Sequence, residues 1–261
     1  MPTPVPSSLT LMPEYFASVL DTPGLIWLIG AALAAGLVRG FAGFGTAMIY
    51  LPVAGQWLPP FEALTTLVVM DLIGPLPHVK RALRDGFPAD VARLTVGMIV
   101  ALPAGVYVLS LVAPEVFRYG VSVVTMSLLV LLIGGVRYSG VLTRPMIYGT
   151  GVVSGFMAGS VGLPGPPVIM LYMASGHSPK VIRANNMLYL ILAVAAMLGM
   201  FALFGQLVVS AIGLGLALTV PYMIANVVGG WIFRPEAERT YRMVAYAIMA
   251  VSAVSGLPFW D

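Results

Sequence analysis

Two ionisable side chains and two glycine-rich stretches are where this sequence could do chemistry. Arg39 stands in "GLVRGFAGFGTAMIYLP" (36–52), an otherwise apolar run, and "GFMAGSVGLPGPPVIML" (155–171) repeats its habit of glycines and prolines among large apolar residues. A guanidinium is a planar fork that matches carboxylate or sulfonate oxygens. Helix starts expected near Gly45–Ala47 and Gly165–Val168 present unpaired backbone N–H groups, which attract anions. Thr65, Thr66, Asn185 and Asn186 follow one turn into the next helices, with hydroxyls and amides able to donate. Asp71 is mid-span in an apolar run, with His78 two turns on. A carboxylate there is a candidate to carry a coupling proton or to pair with Arg39. The chemistry these groups share is the holding of a small anion. The expected binding set is Arg39, Gly43, Gly45, Thr46, Thr65, Thr66, Gly162, Gly165, Asn185 and Asn186, with Asp71 as the proton carrier. Each has a plainer reading. Arg39 snorkels to the inner headgroups, the glycines and small polar residues pack and glue helices, and Asp71 is a hydrogen-bonded structural residue. Asn226 with Pro221 and Tyr222 reads equally well as a helix kink.

The elements that must position these residues are membrane helices. The chain has 261 residues, of which 9% are charged, and a mean hydropathy of +0.98. A soluble domain of this size carries roughly 25% charged residues. Several apolar runs exceed the roughly 18 residues that span a bilayer as a helix. Apolar spans fall near 24–58, 61–79, 90–112, 116–136, 145–175, 182–204, 208–232 and 241–259, separated by short breaks such as "RDGFPAD", "YSGVLTRP" and "FRPEAER". The first and fifth are too long for one crossing, and both hold the glycine and proline breaks. Residues 1–23 read as a short arm outside the membrane, without the basic start of a signal peptide.

Those two spans resemble each other. Gly36, Gly40 and Gly43 match Gly155, Gly159 and Gly162 at one constant offset, and "ALTTL" (63–67) is followed in the second half by "ANNML" (184–188). Two repeats are therefore expected, over 24–138 and 139–261. If all eight spans were simple crossings, the loop basic residues would split evenly between the two sides. If the first and fifth are hairpins that enter and leave on one side, Lys80, Arg81, Arg84, Arg93, Arg137, Arg144, Lys180, Arg183, Arg234, Arg239 and Arg242 gather inside. Only Arg118 falls outside, with Glu14, Asp21, Glu62, Glu115 and Asp261. The charge bias selects the hairpins, puts the N-terminus outside and inverts the second repeat against the first. The expected fold is an all-α polytopic membrane protein of two inverted repeats, each a broken or re-entrant hairpin followed by three transmembrane helices. The hairpin tips meet near the midplane, where transporters of this kind place their substrate.

At these residues the sequence resembles the TauE/SafE family of anion exporters, whose signature is a doubled Gly-rich element ending in a proline and followed by a helix start. Here the copies read "GFAGFGTAMIYLP" and "GSVGLPGPPVIML", with "ALTTL" and "ANNML" at the helix starts. Thr46 and Ala47 replace two glycines in the first copy, Pro164 and Pro166 replace glycines in the second, and Leu171 stands where the proline would be. The resemblance covers almost the whole chain after the N-terminal arm. It implies export of small anions such as sulfite or organosulfonates across the inner (cytoplasmic) membrane.

Other classes find less support. There is no cysteine, which removes disulfides, thiolate nucleophiles and Cys-ligated metals. No Walker A loop and no Gly-x-Ser-x-Gly motif occurs, so neither ATP hydrolysis nor a serine hydrolase is legible. An anion channel built on the same hairpin tips stays open, and a membrane-embedded enzyme is the remaining rival. The expected partners are a small anion, the lipid bilayer and a second copy of the chain in a homodimer. No cofactor, metal or nucleic acid is expected.

Overall fold

A computed structural model describes residues 19–73, 79–134, 142–173, 175–234 and 237–257. His78, Arg137, Asp261 and the arm up to residue 18, Glu14 included, lie outside the described residues. Among the described residues there are helices and no strand. In chain order the helices are α1 (Leu25–Ala42), α2 (Thr46–Ala54), α3 (Pro60–Ile73), α4 (Val79–Asp85), α5 (Pro88–Leu111), α6 (Pro114–Ile133), α7 (Arg144–Val161), α8 (Gly165–Met173), α9 (Pro179–Leu203), α10 (Val209–Ile232) and α11 (Glu238–Ser255). Proline opens α3, α5, α6 and α9, where its missing N–H would have been unpaired in any case.

Both long glycine-rich spans are broken helices. The α1–α2 break is Gly43-Phe44-Gly45, and the α7–α8 break is Gly162-Leu163-Pro164. Gly45 has φ 101° and Gly162 φ 72°, left-handed backbone that other residues adopt only with strain. The second half of each break is short: α2 and α8 have 9 residues apiece, about 13 Å of helix each. Each packs back on the helix before it. Pro52, which ends the first glycine-rich stretch, lies inside α2.

Helices α1, α5, α6, α9 (from Lys180) and α10 are long and apolar enough to cross a membrane. Of the three full crossings expected after each hairpin, α5 and α6 in the first half and α9 and α10 in the second have the length and apolarity for it among the described residues. In the second half α9 runs unbroken for 25 residues. In the first half α3 has 14 residues and α4 has 7. Helix α11 opens on Glu238, Arg239 and Arg242, which shortens its apolar part.

The two tightest helix pairings exchange partners across the halves: α1 packs along α10, and α7 along α5. Both are backbone-to-backbone. A Cβ on Gly36 would lie 2.2 Å from the Tyr222 carbonyl oxygen, and one on Gly40 2.2 Å from that of Asn226. A Cβ on Gly155 would lie 2.2 Å from the Met98 carbonyl oxygen, and one on Gly97 2.3 Å from that of Tyr148. Lipid tails are as apolar as leucine, so membrane helices associate through such close approach of small residues. The matched glycines of the two halves thus divide into packing positions (36, 40, 155, 159) and turn positions (43, 162).

A polar contact closes one end of the bundle. Lys180 Nζ meets Asp85 Oδ1 at 3.0 Å, and the Phe87 N–H donates to Asn185 Oδ1 at 2.7 Å. Together they fasten the α4–α5 turn to the start of α9.

The packing reading predicts that Gly155→Val, which drives a side chain into the α5 backbone, costs at least the roughly 1–3 kcal/mol typical of overpacking and lowers the melting temperature of detergent-purified protein. Gly199→Ala is the control. Nothing lies within 4 Å of a Cβ on Gly199, so that change holds or raises the melting temperature, by about 0.5–1 kcal/mol of helix stability.

Candidate functional site

The two helix breaks face one cavity. It is lined by Arg39 from α1, by Phe44, Gly45, Thr46, Ala47 and Met48 at the first break, and by Leu67, Val68 and Asp71 from α3. Gly162, Leu163, Pro164, Gly165, Pro166 and Ile169 line it at the second break, and Leu190, Val194 and Met197 of α9 complete the wall. The cavity volume is about 40 Å³. One water needs roughly 10–15 Å³ on this measure, so there is room for a few waters or one compact anion.

One wall is polar. Arg39 occupies the last turn of α1, where the carbonyl end of the helix favours a cation. Its Nη1 donates to Asp71 Oδ2 at 3.4 Å and to Thr46 Oγ1 at 3.4 Å. Tyr222, on α10 of the other half, donates its hydroxyl to Asp71 Oδ1 at 2.7 Å and lies 3.3 Å from Thr46 Oγ1. The Arg39 and Asp71 side chains are each only 10% exposed. A charge at this depth must be compensated, and each of these ions compensates the other. Arg39 therefore lies against the cavity and Asp71 instead of snorkelling outwards.

The opposite wall is apolar. Helix α8 begins Gly165-Pro166-Pro167-Val168, and proline carries no N–H. Its first turn therefore offers only the N–H groups of Gly165 and Val168, a weaker anion end than the expectation of two matched helix starts requires. The first turn of α2 keeps the N–H groups of Thr46, Ala47 and Met48; the next one, of Ile49, is taken by the Gly45 carbonyl at 3.2 Å. Gly165 also departs from the expectation of a conformationally costly tip. It is absent from the glycines with positive φ, and a Cβ there would lie 3.5 Å from Leu190 Cδ2, an ordinary contact.

The remaining residues of the expected set stand elsewhere. Gly43, Thr65, Thr66, Asn185 and Asn186 do not line this cavity. Thr66 donates to the Ala63 carbonyl oxygen at 2.9 Å and lies 2.9 Å from the Tyr50 hydroxyl. Thr65 is fully buried, with no partner for its hydroxyl. Asn185 holds the Phe87 N–H, as above, while its Nδ2 has no partner, and neither does Asn186 Oδ1. Helix periodicity explains the split. Leu67, Val68 and Asp71 share a face of α3, and Thr65 and Thr66 point elsewhere.

Tyr222 is the site residue that sequence reasoning undervalued. Its one signal was Pro221, which lies inside α10. Tyr50, Tyr172, Tyr189 and Tyr222 are all fully buried. Tyr189 and Ser154 share a hydrogen bond, and Ser154 donates to the Pro164 carbonyl oxygen, which anchors the second break.

The ion pair makes a stability prediction. Asp71→Leu strands the guanidinium and costs about 3–5 kcal/mol, the range for breaking a buried pair. Adding Arg39→Met to the same chain removes the stranded charge and recovers most of the loss. Denaturant unfolding of the single and double variants in detergent measures both. A double variant no more stable than Asp71→Leu alone would show that the two side chains do not compensate each other.

No curated protein and no solved structure shows significant similarity to the chain. The sulfite exporter TauE/SafE family, by contrast, matches residues 28–256, a stretch that includes both helix breaks, the Arg39–Asp71 pair and Tyr222. With helices long and apolar enough to cross a bilayer several times, this is a multi-pass membrane protein, and it belongs to the sulfite exporter TauE/SafE family of anion transporters.

Proposed function

We propose that the protein is a secondary transporter that exports small oxyanions, such as sulfite or organosulfonates, across the inner membrane. The substrate is held in the cavity between the two helix breaks, reached alternately from either side. The observation that carries this reading is the convergence of Arg39 and the open N-terminal turn of α2 on one small cavity. A guanidinium and free backbone N–H groups are the donors an oxyanion needs. The apolar wall of α8 and α9 excludes water, which strengthens those contacts.

The same reading takes the halves as inverted repeats, 24–138 and 139–261, that rock against each other around the breaks. The exchanged pairings, α1 on α10 and α7 on α5, support it, because each half then carries the other's packing partner. The sidedness follows from the gathered basic residues. In this orientation Lys180→Cys, in a chain with no native cysteine, is labelled from the inside only. Labelling by an impermeant reagent from the outside would reverse or remove the inverted arrangement.

Two measurements test the function. Purified protein in proteoliposomes should accumulate sulfite or a sulfonate against its gradient when driven by a second gradient. Dissipation alone would make it a channel built on the same breaks. Arg39→Ala should then reduce anion binding more than Arg39→Lys, since lysine keeps the charge and loses the planar fork. Glycine substitutions separate the site from the scaffold. Gly165→Val fills the cavity where space exists, so it should abolish binding with little change in melting temperature. Gly45→Val meets Met249 Cε, 2.2 Å from a Cβ there, in left-handed backbone, and should lower binding and melting temperature together. Unchanged anion affinity in Gly165→Val would remove the cavity as the binding site.

A further inference from the structure

The cavity's one guanidinium is already engaged. Arg39 Nη1 donates to Asp71 Oδ2 at 3.4 Å, and both side chains line the cavity. The polar wall is thus neutral overall, and an entering anion meets a carboxylate as well as a cation. The groups that face Asp71 are few. Helix α1 presents Arg39, α10 presents Tyr222, and the start of α2 presents Thr46. Helices α8 and α9 face the cavity with Ile169, Leu190, Val194 and Met197, none of which carries charge or titrates. His78 lies outside the described residues. Among the described residues in this wall, no second cation balances Asp71 once Arg39 turns to a substrate.

From this competition we infer that anion binding and protonation of Asp71 are linked: each anion held by Arg39 is accompanied by one proton taken up at Asp71. The inference rests on the anion-site reading above and adds its coupling. In the empty site the carboxylate and guanidinium neutralise each other. On loading, the Arg39 Nη1–H bond to Asp71 Oδ2 breaks and an Nη1–H bond to an anion oxygen forms. A proton from solvent then binds Oδ2, so no uncompensated carboxylate stays buried, a state that is expensive at this depth. The Tyr222 hydroxyl keeps its bond to Oδ1 in both states. The loaded wall carries Arg39, a neutral acid and a monovalent anion, and is again neutral. A carrier that reorients in its two neutral forms moves the anion and the proton together. Tyr222 brings the second half of the chain onto the same carboxylate, so the state of Asp71 reaches both halves.

Proton uptake on binding makes affinity fall as pH rises, by up to about tenfold per pH unit while one proton accompanies each anion. Isothermal titration of the detergent-purified full chain with methanesulfonate and with ethanesulfonate, both monovalent, is the test. Neither anion titrates near neutral pH, so every proton counted enters the protein. Running it in two buffers of different ionisation enthalpy should give close to one proton per anion. In Asp71→Asn, which mimics the neutral acid, the anions should bind with no proton taken up and with affinity independent of pH. Wild-type protein that binds either anion without proton uptake overturns the linkage and leaves the anion site standing. The wild-type count decides even if the variant does not fold, and uptake persisting in Asp71→Asn assigns the proton to another group and overturns it too. Binding of neither anion at any pH overturns the anion-site reading and the linkage with it.

Discussion

Backbone polar groups at membrane depth have no water to turn to, and this chain breaks two helices within its apolar core. Interrupted backbone survives there only where protein covers it or where it lines a cavity. Most of the architecture follows from satisfying the two breaks. The Gly43 N–H returns to the Arg39 carbonyl oxygen at 2.8 Å, and the Gly162 N–H to that of Ala158 at 3.2 Å. Ser154 takes up the Pro164 carbonyl, and Tyr189 holds Ser154. The first turn of α2, Thr46, Ala47 and Met48, lines the cavity.

The close helix pairings have a second effect. Without side chains at Gly36 and Gly40, α1 lies against the α10 backbone, and α10 carries the buried Tyr222. The same contact that packs the helices therefore carries a hydroxyl from one half to a carboxylate of the other. Helices α7 and α5 make an equivalent glycine contact, and α5 carries an ion pair of its own, Arg93 with Asp90. Where the halves match in packing they differ in chemistry. Arg39 and Asp71 occur only in the first half, and prolines silence the helix start of the second. The asymmetry gives the cavity one wall with ionised side chains and one apolar wall.

Composition and spacing made a good part of this legible. Apolar runs of spanning length, two glycine-rich breaks at a constant offset and few charges dictate membrane helices with interruptions, because each follows from local chemistry: no polar shell, no side chain at the turns, no N–H at the prolines. Of the candidate site, Arg39, Gly45, Thr46, Gly162, Gly165 and Asp71 line the cavity, and all of them stand in or near those breaks except Asp71, which was marked by its charge alone.

The sequence by itself thus determined that the chain lies in a membrane, where its helices break and which ions sit within them. Tertiary structure decided what those features face. That Arg39 meets Asp71, 32 positions away, and that Tyr222 meets the same carboxylate depends on the α1–α10 contact and on the rotation of α3. Neither leaves a periodic signal. Thr65, Thr66, Asn185 and Asn186 looked equivalent to the cavity residues because polarity in an apolar run is visible in one dimension. The direction a side chain points is fixed only when the helices pack, since a helix turns about 100° with each residue and its register against its neighbours is set by long-range contact.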